Sequence, residues 1–153
     1  MATGGGGTEF TAELYRAAAL ERMDALRGLY DNGQYVLGLY TAGVAVEAML
    51  RAYRVKVDPE FSSRHDLREL AKESKLGTVV PAKLVGAYAA SLGAVAARWS
   101  NSHRYRTAAA VLRKLKQAGL DRGIKGNALK ENARRAINAA IDLVNMGDQL
   151  WKK

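Results

Sequence analysis

Apolar residues recur at helical spacing along nearly the whole chain, and no run alternates convincingly with a period of two. The clearest stripe is the last, where Leu129, Ala133, Ile137, Ala140/Ile141, Val144 and Trp151 share one face of a helix over Ala128 to Trp151. Lys130, Glu131, Arg134 and Arg135 stand on the opposite face. The chain is rich in Ala and Leu, sparing of β-branched residues, and holds only 2 prolines. The expected fold is therefore all-α, an antiparallel up-and-down helical bundle of four to five main helices.

The remaining helices follow from the same pattern. Thr8 or Thr11 can cap a first helix that carries Phe10, Leu14, Ala18, Leu26 and Tyr30 and stops at Asp31-Asn32-Gly33. A second is expected over about Gln34 to Arg54, with Val36, Leu39/Tyr40, Gly43, Val46, Leu50 and Tyr53 on one face. Val55 to Ser63 reads as a loop broken at Asp58-Pro59. Ser62 or Ser63 then caps a short helix through Leu67, Leu70 and Ala71 that closes near Gly77. Pro81 suits the first turn of a helix through Leu84, Tyr88, Leu92 and Val95, and a further one runs from near Thr107 to Gly119. No internal repeat or dividing linker appears. The expected organisation is a glycine-rich segment over 1–7 and a single helical domain over 8–153.

Composition removes several classes of chemistry. With 0 cysteines there is no disulfide framework, thiol nucleophile or Cys-ligated metal, and 2 histidines speak against a His-rich metal site within one chain. No metal and no cofactor are expected. The start of the chain lacks the charged and apolar regions of a secretory signal. The longest apolar stretch, Tyr35 to Leu50, is too short to span a bilayer and contains Glu47. A cytoplasmic protein without membrane contact is the expectation.

The net charge of +9 is concentrated. Residues 1–60 carry 6 Lys+Arg against 8 Asp+Glu, while 61–153 carry 18 against 7. Between Ala97 and Arg135, 11 basic residues face 2 acids, so that window alone holds the whole net charge. Arg104, Arg106, Arg113, Lys114, Lys116, Arg134 and Arg135 are its candidate nucleic-acid contacts, and RNA is the expected partner. The competing reading is a solvated helix face in a basic protein.

Three segments could carry chemistry. In Arg98-Trp99-Ser100-Asn101-Ser102-His103-Arg104-Tyr105, Arg98 and His103 would stand about 140° apart on a continuous helix. A break at Ser100-Asn101 could bring guanidinium and imidazole to one phosphate, for metal-free cleavage through the RNA 2′-hydroxyl. The alternative is a polar helix start whose His bonds locally. Glu47 borders an apolar stripe, where a carboxylate needs a partner, and Arg98 or Arg104 is the expected one, unless Glu47 reaches water. Ser63 to Leu70 reads as a helix start in which His65 helps close the turn.

Taken together, Gly38 to Ala52 with its Gly43-x3-Glu47-x2-Leu50 pattern, His65-Asp66-Leu67 with Leu70, the Trp99 to Tyr105 segment and the Ala-rich last helix resemble the HEPN family. The resemblance covers nearly all of the chain after the glycine run. It implies a helical bundle, a homodimer and, in many members, a metal-independent ribonuclease of toxin–antitoxin, CRISPR or phage-defence systems. Their motif is Arg, four to six residues, then His. Some bacterial members carry Arg-x4-His-x-Tyr and pair with a nucleotidyltransferase antitoxin that modifies the tyrosine. That pattern falls here on Arg98, His103 and Tyr105, with Glu47 a possible orienting partner. Other members, not known as nucleases, resemble Trp-x4-Arg-Tyr, which Trp99, Arg104 and Tyr105 fit equally well.

Two functions follow. One is a dimeric endoribonuclease of toxin–antitoxin or phage-defence type, using His103 and Arg98. The other is a non-catalytic module that binds RNA, or a partner such as a nucleotidyltransferase, through the basic surface. A DNA-binding helix-turn-helix over Thr107 to Ala140 is set aside, because the Gly119 to Asn127 connection is too long for that motif.

Overall fold

A computed structural model describes residues 10–59 and 66–151. It contains α1 (Ala12–Asp31), α2 (Tyr35–Val57), α3 (Leu67–Ser74), a single turn α4 (Leu76–Val79), α5 (Val85–Arg98), α6 (Ala108–Gln117) and α7 (Ala128–Trp151). Short 3-10 turns occupy Ala82–Leu84 and Asn101–Tyr105. The fold is an all-α up-and-down bundle, and no helix among the described residues is long and apolar enough to cross a membrane.

Side-chain caps and glycines set the helix ends. The Thr11 hydroxyl accepts from the Leu14 amide at 3.1 Å and starts α1. Gly33, at φ +74°, turns the chain after α1 and folds α2 back against it. α2 continues three residues beyond its expected end, through Val57, and yields only at Asp58, whose extended backbone suits the following Pro59. The cap of α3 is Asp66, whose carboxylate accepts from the Glu69 amide at 3.0 Å, while Ser62, Ser63 and His65 lie outside the described residues. α3 ends at Lys75 in the left-handed conformation, not at Gly77, which is helical in α4.

α2 occupies the centre of the bundle. Leu39, Ala42, Ala45, Val46, Met49, Leu50 and Ala52 are fully buried, and together they cover far more than one stripe of the helix. Packing against α1, α3, α5 and α7 explains why this segment reads as almost uniformly apolar. Small residues bring α7 close: Gly147 faces Met49, and a Cβ there would stand 2.6 Å from Met49 Cγ. The Tyr53 hydroxyl donates to the Gly147 carbonyl at 2.6 Å. At the same end the Trp151 ring meets Tyr53 edge-on at 5.1 Å and receives Lys56 Nζ at 4.0 Å from its centroid.

Candidate functional site

The Trp99 to Arg106 segment joins α5 to α6, and its backbone decides where each candidate side chain goes. Trp99 and Ser100 are extended, with ψ of 143° and 140°, so the helical rotation of α5 stops at Arg98. The chain then tightens into the 3-10 turn, held by the His103 amide donating to the Ser100 carbonyl at 3.0 Å. Ser100 and Ser102 share a hydroxyl hydrogen bond of 2.8 Å, and Arg106 Nε donates to Ser102 Oγ at 3.0 Å.

Trp99 turns inward. Its ring covers Gly43 of α2 at a separation that a Cβ would abolish, and its Nε1 donates to the Tyr40 carbonyl at 3.0 Å. The glycine of the Gly-x3-Glu pattern is thus the floor beneath this tryptophan. Glu47, one turn further along α2, is 7% exposed, and its Oε2 accepts from Arg51 Nε at 2.8 Å. The ion pair therefore forms within α2 at the (i, i+4) spacing. Arg104 lines the same groove as Glu47, a space of about 710 Å³ along α1 and α2 that also contains the exposed side chains of Phe10 and Leu14.

Arg98 is committed elsewhere. Its Nε donates to Asn132 Oδ1 at 2.8 Å and its NH1 group to the Ala94 carbonyl at 2.9 Å. Desolvation lowers its affinity for the proton, as does Arg135, while Glu131 opposes both. Asn132 is fully buried, and its amide nitrogen donates to the carbonyls of Leu120 and Ala128 at 3.0 and 2.8 Å. Asn132 thus ties α5, α7 and the connection after α6 together. It was not among the sequence candidates, and only its polar character inside an apolar stripe signals it.

His103 points into the protein and is 4% exposed. Burial, then Lys114 and Arg106, pushes its pKa down to about 4, so the ring is neutral at pH 7. Its Nδ1 is buried with no hydrogen-bond partner among the described residues. Arg98 is thus held against α7, while His103 is buried within the positive field of Lys114 and Arg106. The side chains of Arg104, Tyr105 and Arg106 are exposed.

The basic surface lies on α6 and the start of α7. Val111 and Leu115 bury one face of α6, which leaves Arg113, Lys114 and Lys116 exposed on the rest. No acid lies in α6. Arg134 and Arg135 are exposed too, but Glu131 grips both, at 2.6 and 3.2 Å, and its own pKa is held down at about 2, chiefly by Arg134. Among the described residues no group of three or more Asp, Glu and His is placed to hold a metal ion.

Comparison with curated proteins and with solved structures finds no match. The HEPN domain family matches residues 12–150, almost the full extent of the bundle. The chain belongs to the HEPN domain family.

Proposed function

We propose that this protein is a HEPN module that binds the backbone of RNA through α6 and the start of α7, without cutting it. The observation that carries this reading is the exposure of Arg113, Lys114 and Lys116 around the solvent side of α6, with no acid in the helix to neutralise them. Cations so placed release counterions from a polyanion on contact, which makes binding strong at low salt and steeply salt-dependent. The state of His103 argues against cleavage: a neutral, buried imidazole with a pKa of about 4 neither reaches a phosphodiester nor holds the proton a leaving group needs. Arg98 is equally occupied by Asn132 and Ala94.

The test is fluorescence anisotropy with a labelled RNA over a range of salt. The wild type binds at low salt with a steep slope. Replacing Arg113, Lys114 and Lys116 together by Glu weakens binding at least tenfold and lowers the slope by roughly 3. Binding that ignores salt, or survives the triple substitution, refutes the reading.

A second reading, a dimeric metal-independent ribonuclease of toxin or phage-defence type, is favoured by the unpartnered Nδ1 of His103 in the positive field of Arg106 and Lys114. There His103 takes the 2′-hydroxyl proton as the 2′-oxygen bonds to phosphorus, the P–O5′ bond breaks with the proton returned to the leaving 5′-oxygen, Arg98 steadies the phosphate, and Tyr105 is open to a nucleotidyltransferase partner. It requires Arg98 to leave Asn132. RNA incubated with the protein in a chelator separates the two: cyclic 2′,3′-phosphate ends that disappear in His103→Ala support the ribonuclease, and intact RNA supports the module.

A further inference from the structure

Tyr105 is the most exposed large side chain of apolar character in the described protein, at 82%. So open a ring leaves its surface available to a ligand, with a polar hydroxyl at its tip. The turn that carries it is well fixed. His103 anchors the turn in the core, the Arg106 amide donates to the His103 carbonyl at 3.2 Å, and Arg106 Nε is held by Ser102. Arg104 sets its guanidinium 5.0 Å from the Tyr105 ring centroid. The ring therefore projects from a braced turn beside the Arg104 guanidinium, with Arg106 next in sequence, and Thr107 starts the basic helix α6 immediately afterwards.

A flat ring beside a guanidinium and followed by a basic helix has the chemistry to hold an unpaired nucleobase, with the flanking phosphates on the cations. Bases inside a duplex are already stacked on one another and cannot offer a face to a side chain, whereas those of single strands and loops can. We infer that Tyr105 is a stacking platform for one unpaired base, and that the RNA this protein takes is single-stranded or looped. The inference rests on the RNA-binding reading above and adds the class of RNA to it. Arg104 holds the ring in place, and Arg106 with Lys114 meets the phosphates on the α6 side. The stacking contact is indifferent to base identity, since every base has a face to offer, so selection is by strandedness and not by sequence.

The experiment compares two labelled probes, a single-stranded RNA and a hairpin-free duplex of the same sequence, against the full chain. Four proteins are used: wild type, Tyr105→Ala, Tyr105→Phe and Lys114→Glu. Because Tyr105 is so exposed, its variants keep the fold, and circular dichroism checks that they do. Tyr105→Ala is expected to lose about tenfold in affinity for the single strand and less than twofold for the duplex, with Tyr105→Phe close to wild type. Lys114→Glu is expected to weaken both probes alike. If wild type binds and Tyr105→Ala binds the single strand equally well, the stacking platform is overturned while the basic surface stands. If Tyr105→Ala weakens both probes equally, the selection for unpaired bases is overturned. Wild type that binds neither probe at low salt overturns the basic surface, and the platform with it.

Discussion

The indole of Trp99 lies across Gly43, in the space that any larger residue at position 43 would need for its Cβ. A tryptophan at the end of α5 is thereby locked to the middle of α2, with its Nε1 bonded to the Tyr40 carbonyl at 3.0 Å. This contact fixes the register of the turn that follows, and so the directions of His103, Arg104 and Tyr105. Gly43→Ala should destabilise the protein by about 1–3 kcal/mol, because the ring has to shift inside a packed core. Trp99→Phe, which keeps most of the ring but loses the donor, should cost about 1 kcal/mol. Thermal or urea denaturation measures both, and a wild-type midpoint in Gly43→Ala would show that the ring is not held there.

Asn132 makes three hydrogen bonds, two of which join α7 to α5 and to the connection after α6 and the third of which lies within α7. Asn132→Leu keeps the volume and strands the partners, including a desolvated Arg98 nitrogen. Its expected cost is about 3 kcal/mol by urea denaturation.

The pH dependence of stability reports on His103. Its folded pKa of about 4 lies below the ordinary 6.5, so between these values the unfolded chain binds the proton more readily. The stability contributed by keeping the ring neutral is complete above about pH 6.5 and is lost as pH falls toward 4, up to about 3 kcal/mol. A series of melting temperatures from pH 7 to 4 should fall in wild type and fall less in His103→Gln. Equal slopes in the two proteins would count against a buried, neutral imidazole.

Glu131 offsets part of the positive charge that the exposed Arg134 and Arg135 present to a polyanion. Glu131→Gln should therefore raise RNA affinity at low salt by roughly two- to tenfold and steepen the salt dependence. Both quantities come from one anisotropy titration series. Unchanged affinity would place the RNA away from the start of α7.

Two helix glycines should respond in opposite directions. A Cβ at Gly93 meets nothing within 4 Å, so Gly93→Ala should stabilise α5 by about 0.5–1 kcal/mol. Gly147→Ala crowds Met49 and should destabilise by about 1–3 kcal/mol, although the Met49 side chain can give way in part. The two melting temperatures, measured side by side, distinguish a glycine left open from one required by close approach.

Much of the architecture is local and so was legible in the order of residues. A threonine cap for α1, the start of α6 near Thr107, the Gly33 stop and the span of α7 follow from hydrogen-bonding groups and apolar spacing within a few positions of each other. The charge on α6 is legible for the same reason, since burying Val111 and Leu115 leaves Arg113, Lys114 and Lys116 spread around the exposed remainder of the helix. Glu47 shows where such reasoning stops. Its need for a partner could be read from its apolar neighbours, but not that Arg51, one turn along the same helix, would be one of them.

The fate of Arg98 and His103 was settled only by tertiary structure. Counting rotation along a helix presumes a helix, and the extended backbone at Trp99 and Ser100 breaks the count between the two residues. Packing then gave Arg98 to Asn132, 34 positions away, and drew His103 into the core within the positive field of Lys114 and Arg106. The sequence by itself determined an all-α chain with its positive charge gathered on one stretch, because both properties belong to neighbours along the chain. Which of those residues face water, and which are spent on holding the bundle, depends on contacts between distant segments that no local pattern encodes.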